Sequence, residues 1–311
     1  MAQRIIIQDK VGSALTKQES IDTSNYPFTL NTTIGCLFGC NYCYLQEFPF
    51  NKLAEFGKEI IIKAWLPDKL DQELGNLRWL PQHLKRVQVN SATEGYLPQA
   101  IRVMDDQLGR DLMKEVLEVF QRHWLNGNKW MIHIVTKSHL ILNHLELIAS
   151  MKEQVQIELT ITSLDETRAR SLEGTASSVG KRKQVIQKFS SRGVFVRVMC
   201  MPFIGTEDEA LKLRDALLKL GAQGFKHKAM NYWDEDEILK GETVKAKGKV
   251  DIIFKSLHVK SGEEVQDVEN GVNTAVVVMP DAKWDSYSEL EMKMVDWGYS
   301  ELNNEDWGYI K

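Results

Sequence analysis

Cys36-Leu37-Phe38-Gly39-Cys40-Asn41-Tyr42-Cys43 places three cysteines at C-x3-C-x2-C spacing, directly after the strand-like segment Phe28–Ile34. Three thiolates can hold three irons of a [4Fe–4S] cube and leave the fourth open. An open iron is what a cluster needs to bind and reduce a small molecule rather than only store electrons. A zinc site wants four closed ligands, or three plus water, commonly from paired C-x2-C units or histidines, and neither pattern lies nearby. The alternative is a zinc knuckle, or buried thiols that happen to be close.

Outward from this stretch, strand and helix patterns take turns. Arg86–Asn90 reads as a strand and Asp105–Asn126 as a helix, with Leu108, Leu112, Val116, Val119 and Phe120 on one face and Gly127 as its stop. Trp130–Thr136, Val155–Thr162, Val194–Met201 and Gly224–Met230 read as strands, and His139–Lys152, Lys181–Arg192 and Glu207–Leu220 as the helices between them. Strands separated by helical stretches imply parallel β–α units. Counting the strand before Cys36 there are six, so the expected fold is α/β, a partial (β/α)6 TIM-like barrel over residues 1–233. Residues 234–311 form an extension containing short strands and able to cap the barrel.

One face of each barrel strand packs on helices and the other looks into the lumen. In Gln156–Thr162 the apolar residues alternate with Glu158, Thr160 and Thr162. The same parity puts Gln88, Asn90, His133 and Arg197 on the lumen face. Buried polar groups cost free energy unless paired, and a substrate pocket is one reason to keep them. These five (Gln88, Asn90, His133, Glu158 and Arg197) are the substrate-contact candidates, with a hydrogen-bonded interior histidine as the plain alternative for His133. Cys200 has the opposite parity and should face helices as a small hydrophobe, the alternative being a hydrogen-atom donor if the strand ends or bulges before it.

The chain has 311 residues, 43% hydrophobic, and a net charge of −4. This supports a large core and provides no global basic field for nucleic acid. No apolar stretch is long enough to span a bilayer, and Met1–Lys10 lacks a signal peptide's apolar region. Four cysteines, three of them clustered, argue against a disulfide framework and for the reducing cytoplasm. With only Cys200 outside the motif, no second all-cysteine cluster can be built.

The cysteine spacing, with an aromatic residue before the third cysteine, resembles the signature of the radical S-adenosylmethionine (SAM) enzymes. Further segments are similar to the spore photoproduct lyase-like branch: Cys43-Tyr44-Leu45-Gln46, Val135-Thr136-Lys137-Ser138, Ile161-Thr162-Ser163-Leu164-Asp165-Glu166, Leu172-Glu173-Gly174-Thr175 with Arg182 nine positions after Glu173, and Met201–Asp208. The resemblance covers about Thr29 to Trp233. It implies a [4Fe–4S] cluster on Cys36, Cys40 and Cys43, and SAM chelated to the open iron. One electron from a donor such as flavodoxin or ferredoxin would cleave SAM to a 5′-deoxyadenosyl radical that abstracts hydrogen from a substrate.

Roles follow by residue type. Lys137 suits the SAM carboxylate and Ser163 its methionine or ribose part. Tyr42 and Tyr44 belong to the extended cluster motif, Tyr42 offering backbone and ring contact to adenine. Glu173 and Arg182, bracketing a helix start, either reach ribose and carboxylate or form a surface salt bridge. Where many relatives carry Gly-Gly-Glu, this chain has Asn90-Ser91-Ala92-Thr93-Glu94-Gly95-Tyr96, with Glu94 as the substitute partner for the SAM ammonium. In the lyase this segment contains a cysteine that returns hydrogen to the product, and here Ala92 stands at its position. Repair by that route is therefore not expected.

Beyond Trp233, Lys240–Lys249 reads as a solvated loop, and Val250–Val259 and Thr274–Met279 as strands. Asp296-Trp297-Gly298-Tyr299 repeats as Asp306-Trp307-Gly308-Tyr309. The repeat either stacks on a planar substrate or packs onto the barrel's base. The leading expectation is a radical SAM enzyme acting on a small polar metabolite, nucleoside or amino-acid-like molecule. A nucleic-acid lyase or modifying enzyme and a non-catalytic metal-binding module are the alternatives.

Overall fold

The computed structural model describes residues 3–18, 26–43, 45, 56–200, 207–227, 256–258 and 266–268. The central sheet contains β2 (Thr16–Lys17), β3 (Phe28–Leu30), β6 (Arg86–Val89), β7 (Met131–Thr136), β8 (Val155–Thr160), β9 (Phe195–Cys200) and β10 (Gly224–His227). From β3 through β6, β7, β8 and β9 to β10 every pairing is parallel, and β2 adds an antiparallel edge. Six parallel strands joined through helices are the six units expected of a partial barrel.

The strand-like segment Phe28–Ile34 divides between two sheets. β3 belongs to the barrel. β4 (Thr33–Ile34) runs antiparallel to β5 (Glu59–Ile62), which pairs in parallel with β1 (Arg4–Ile7). Asn90 holds the crossing point, its Oδ1 accepting from Thr32 N at 3.1 Å and Thr32 Oγ1 at 3.0 Å. This corrects the parity expectation for Asn90. Its backbone has φ 62°, which asparagine tolerates better than most residues. The side chain is thereby turned to Thr32 and to the Met113 sulfur, and away from the lumen row. Gly95 keeps that place free, because a Cβ there would stand 2.0 Å from Asn90 Nδ2.

The expected single helix over Asp105–Asn126 is two: α2 (Pro98–Leu108) and α3 (Leu112–Leu125), which follow α1 (Leu66–Asn76). Gly109 ends α2 at φ 60°, the left-handed cap position glycine favours, and Asp111 caps α3 by accepting from Lys114 N at 3.0 Å. Leu108, expected on a buried face, is exposed at the end of α2. Asp111 also meets His144 Nε2 at 2.9 Å, tying α3 to the 3-10 turn His139–His144 that opens α4 (Leu145–Ser150). Asp111→Ala should cost about 0.5–2 kcal/mol, read as a lowered denaturant midpoint with an unchanged slope.

α5 (Glu166–Glu173), α6 (Val179–Ser190) and α7 (Glu207–Lys219) complete the helical layer. Asp165 and Ser178 cap α5 and α6, each accepting from backbone N–H groups of the first turn. Ile132, Ile134, Ile157, Leu159, Val196 and Val198 are buried on the helix-facing side, as the alternation requires. Cys200 shares that parity and is buried in the core, its thiol 3.8 Å from Thr162 O.

On the lumen face Thr29, Gln88, His133, Gln156 and Phe195 lie in register, and two residues further on Val135, Glu158 and Arg197 do the same. Beyond the barrel β11 (Ser256–His258) pairs antiparallel with β12 (Gln266–Val268). Lys240–Lys249, Thr274–Met279, both Trp-Gly-Tyr elements and the remainder of Val250–Val259 lie outside the described residues. Among the described residues no helix is long and apolar enough to cross a membrane.

Candidate cluster and cofactor site

The cysteine loop leaves β4 and is gripped from both sides. On one side the Gly35 carbonyl accepts from Thr33 Oγ1 at 3.2 Å and Thr93 Oγ1 at 2.6 Å. On the other, the end of α5 supplies Leu172 O to Asn41 N at 2.9 Å and Ser171 O to Asn41 Nδ2 at 3.0 Å. Thr175 N donates to Phe38 O at 3.0 Å, and Thr175 Oγ1 to Leu37 O at 3.1 Å. Leu37, Phe38 and Cys40 sink into the core, and Cys36 and Cys43 pack against it partly buried.

All four cysteines are free thiols; Cys40 and Cys200 are buried, Cys36 and Cys43 half-buried. Burial pushes the Cys40 thiol up to about 12, against the opposing pull of Lys137, and pushes Cys36 and Cys43 up as well. Cys36 feels the charges of Cys40 and Cys43, so the three thiols form one electrostatic group. Among the described residues no three of His, Cys, Asp and Glu converge as ligands of a single ion. Thiolates on a cube each bind a different iron and need not converge on one point, so a three-thiol donor set is compatible with a cluster.

Gly174 enforces the contact between loop and α5. Its φ is +55°, and a Cβ there would stand 2.2 Å from Phe38 O, a backbone atom that cannot swing away. Gly174→Ala should therefore push the cysteine loop off its seat. The expected result is a folded protein that retains less iron after anaerobic reconstitution than the parent; equal iron content would contradict the role given to this contact.

Of the sequence-predicted cofactor residues, Tyr42, Glu94, Lys137, Glu173 and Arg182 lie within electrostatic reach of the thiols. Glu94 is buried in the loop after β6 and accepts from Tyr96 N (2.9 Å), Thr136 Oγ1 (2.8 Å) and Lys137 N (2.8 Å). Burial nonetheless holds its carboxyl above the ordinary value. Lys137 places Nζ 5.0 Å from the Tyr42 ring centre. Burial acts to lower its pKa, but Cys40, Glu173, Cys43 and Cys36 outweigh it and raise it, so the amine stays protonated. Glu94 acts on Cys36 while Lys137 acts on Cys40 and Cys43, so a carboxylate and an ammonium both lie within electrostatic reach of the thiols.

Glu173 and Arg182 are not a surface pair. Both are 1% exposed and meet at 2.5 Å. Glu173 Oε1 also accepts from Tyr42 Oη at 2.5 Å and Thr162 Oγ1 at 3.1 Å, and Arg182 Nη1 donates to Thr160 O at 2.7 Å. Burial would raise the Glu173 carboxyl, but Arg182, then Lys137, bring it below its ordinary value. The pair is therefore a strut: it fixes Tyr42, and through Tyr42 the middle of the cysteine motif. The Tyr42 hydroxyl and the ring face toward Lys137 are accordingly committed to protein contacts. Ser163 Oγ accepts from Asp165 N at 3.0 Å, shaping the turn into α5. Tyr44 and the 201–206 part of the Met201–Asp208 segment lie outside the described residues.

Deeper in the lumen Glu158 meets His133 Nε2 at 3.2 Å and Arg197 Nη2 at 2.9 Å, all three being fully buried. Tyr26 stacks on the His133 ring, centroids 4.9 Å apart. The mixed charges anticipated there are thus paired with one another. Gln88 is half-buried between Thr29 and His133 in the same row. Thr33 and Thr93, which hold Gly35, were invisible to motif reading because single threonines carry no spacing signal. Gly174 belongs to the Leu172–Thr175 motif, but its reason, the approach to Phe38 O, is a tertiary one.

The Radical SAM superfamily model matches residues 30–217, more than half of the chain. Uncharacterized protein ORF301 of Acidianus two-tailed virus is 26% identical over 182 residues, 56% of this chain and 55% of the relative. Uncharacterized protein MJ0683 of Methanocaldococcus jannaschii is 22% identical over 179 residues, 57% of this chain and 60% of the relative. The chain thus spans little more than half the length of these curated relatives. Among solved structures, spore photoproduct lyase complexed with dinucleoside spore photoproduct superposes with a TM-score of 0.59 at 14% identity, covering 94% of this chain and 78% of that one. That likeness concerns the fold. With its three thiols, the charged groups around them and the six-unit parallel sheet, the chain belongs to the radical SAM superfamily.

Proposed function

We propose that this protein is a radical enzyme in which Cys36, Cys40 and Cys43 hold a [4Fe–4S] cluster and SAM occupies the space between the cluster and the strand ends of β6, β7 and β8. Such a cluster, when bound and reduced, supplies one electron to SAM, releasing methionine and a 5′-deoxyadenosyl radical that takes a hydrogen atom from the substrate. The observation that carries this reading is the pairing of opposite charges beside the thiols. Glu94 is a buried acceptor of the right sign for an ammonium, and Lys137 a protonated amine of the right sign for a carboxylate.

The protein's own contribution is orientation. Thr136 and two backbone N–H groups aim the Glu94 carboxylate, leaving lone pairs for a ligand's ammonium. Ser163 retains its hydroxyl hydrogen for a ribose or carboxylate oxygen while accepting from Asp165 N. The substrate is a small polar metabolite, nucleoside or amino-acid-like molecule, and the electron donor a flavodoxin or ferredoxin. Glu158, His133 and Arg197, paired together, form a rigid polar floor to the lumen rather than independent binding groups.

The test is SAM cleavage by the anaerobically reconstituted, chemically reduced protein. Accumulation of 5′-deoxyadenosine and methionine is expected. A protein that takes up its full complement of iron and yields neither product would overturn the reading.

A further inference from the structure

Between the β2 edge of the sheet and the loop after β6 lies a cavity of about 420 Å³. It adjoins the cysteine loop at Ile34 and Gly35, and Ala92 forms part of its wall. Much of the wall surface is apolar, Ile34 and Leu45 included, and Thr16, Gln18, Thr29, Asn31 and Ser91 set neutral hydroxyl and amide groups into it. Asn31 Oδ1 is occupied by Ala92 N at 3.0 Å, which leaves the Asn31 amide hydrogens to donate. Thr16 and Ser91 hydroxyls make no side-chain hydrogen bond among the described residues.

Lys63 is the cation in this wall, at the end of β5. It is half-buried, and among the described residues no carboxylate forms an ion pair with it. Burial alone lowers its pKa. Buried charges elsewhere in the site are held by protein groups: Glu173 by Arg182, Glu158 by Arg197, and Glu94 by Thr136 and two backbone N–H groups. A desolvated ammonium without a partner is costly, and a cavity beside it is where the missing anion would sit. The volume is in the range of sites for small molecules.

We propose that this cavity is the substrate site and that it takes a small molecule with a neutral, hydroxyl- or amide-rich body and one anionic group, a phosphate ester or a carboxylate, which pairs with Lys63. The inference rests on the radical reading above, since it locates the substrate beside the cysteine loop. It also goes beyond that reading: neither the superfamily nor the lumen charges assign Lys63 or call for an anion.

The test is calorimetric titration of the reconstituted holoprotein, with SAM present, using ribose 5-phosphate, gluconate and ribose as probes. One or both anionic probes should bind at least about ten-fold more tightly than ribose, and which of them does so identifies phosphate or carboxylate as the preferred group. Lys63→Met should abolish the preference and Lys63→Arg should keep it. Ala92→Leu, which narrows the cavity without touching the charge, should weaken all binding. Equal binding of the three probes, no binding of any, or a preference that survives Lys63→Met would overturn the proposal. SAM cleavage by the unsubstituted protein reports separately on the radical reading, so failure of one is distinguishable from failure of the other.

Discussion

Cys40→Ala should yield a folded but colourless protein that neither retains the cluster nor cleaves SAM. Cys40 is the middle thiol of the motif, buried beside the end of α5 with its sulfur 3.9 Å from Glu173 O. Two remaining thiols cannot hold a cube of about four irons with one corner open to SAM. The fold should survive, because Cys40 is small and its neighbours Leu37 and Phe38 keep the loop anchored. Cys200→Ala is the control. That thiol is buried on the helix-facing side of β9, so iron content and colour should match the parent. Iron analysis and visible absorption after anaerobic reconstitution check both variants. Full iron in Cys40→Ala would remove the assignment of these ligands.

Glu173→Ala should destabilise the protein by about 3–5 kcal/mol, because it strands a buried guanidinium whose carboxylate partner is gone. Arg182 keeps Thr160 O, but a carbonyl does not neutralise its charge, and the Tyr42 and Thr162 hydroxyls lose their acceptor too. Glu173→Gln keeps an acceptor oxygen and should cost less. The double variant Glu173→Leu with Arg182→Met should be more stable than Glu173→Ala alone, since it removes both charges together. Denaturant titration of the three gives the comparison. A double variant less stable than the single would show that something other than the unpaired charge dominates.

The fold was legible where periodicity was strong. Val155–Thr160 alternates so regularly that its helix-facing and lumen-facing sets can be separated by counting, and the six parallel strands follow from the β–α alternation. Periodicity misleads where one residue interrupts a pattern. The apolar spacing of Asp105–Asn126 runs through Gly109 and Asp111, yet a left-handed glycine and an N-cap cut the segment into two helices. At Asn90 a positive φ rotates the side chain off the parity that its neighbours obey.

The site was legible in its identities more than in its geometry. The motif residues Cys36, Cys40, Cys43, Lys137 and Glu173 act on one another electrostatically, and Glu94 acts on Cys36, because the loops after β4, β6 and β7 and the end of α5 approach one another. That Glu173 and Arg182 are buried, and that they hold Tyr42, depends on how α5 and α6 pack, which no local pattern encodes. Lys63 carries no motif at all. Its interest arises only from the cavity beside it and from the missing counter-charge.

The measurement that bears most directly on the account is electron–nuclear double resonance of the reduced, reconstituted protein with SAM isotopically labelled in its amino and carboxylate groups. In the cluster proposed here three protein thiolates leave one iron for the cofactor to chelate, so hyperfine coupling to both labels is predicted. A cluster with normal iron content and no coupling to either label would contradict it, as would a fourth protein ligand on that iron.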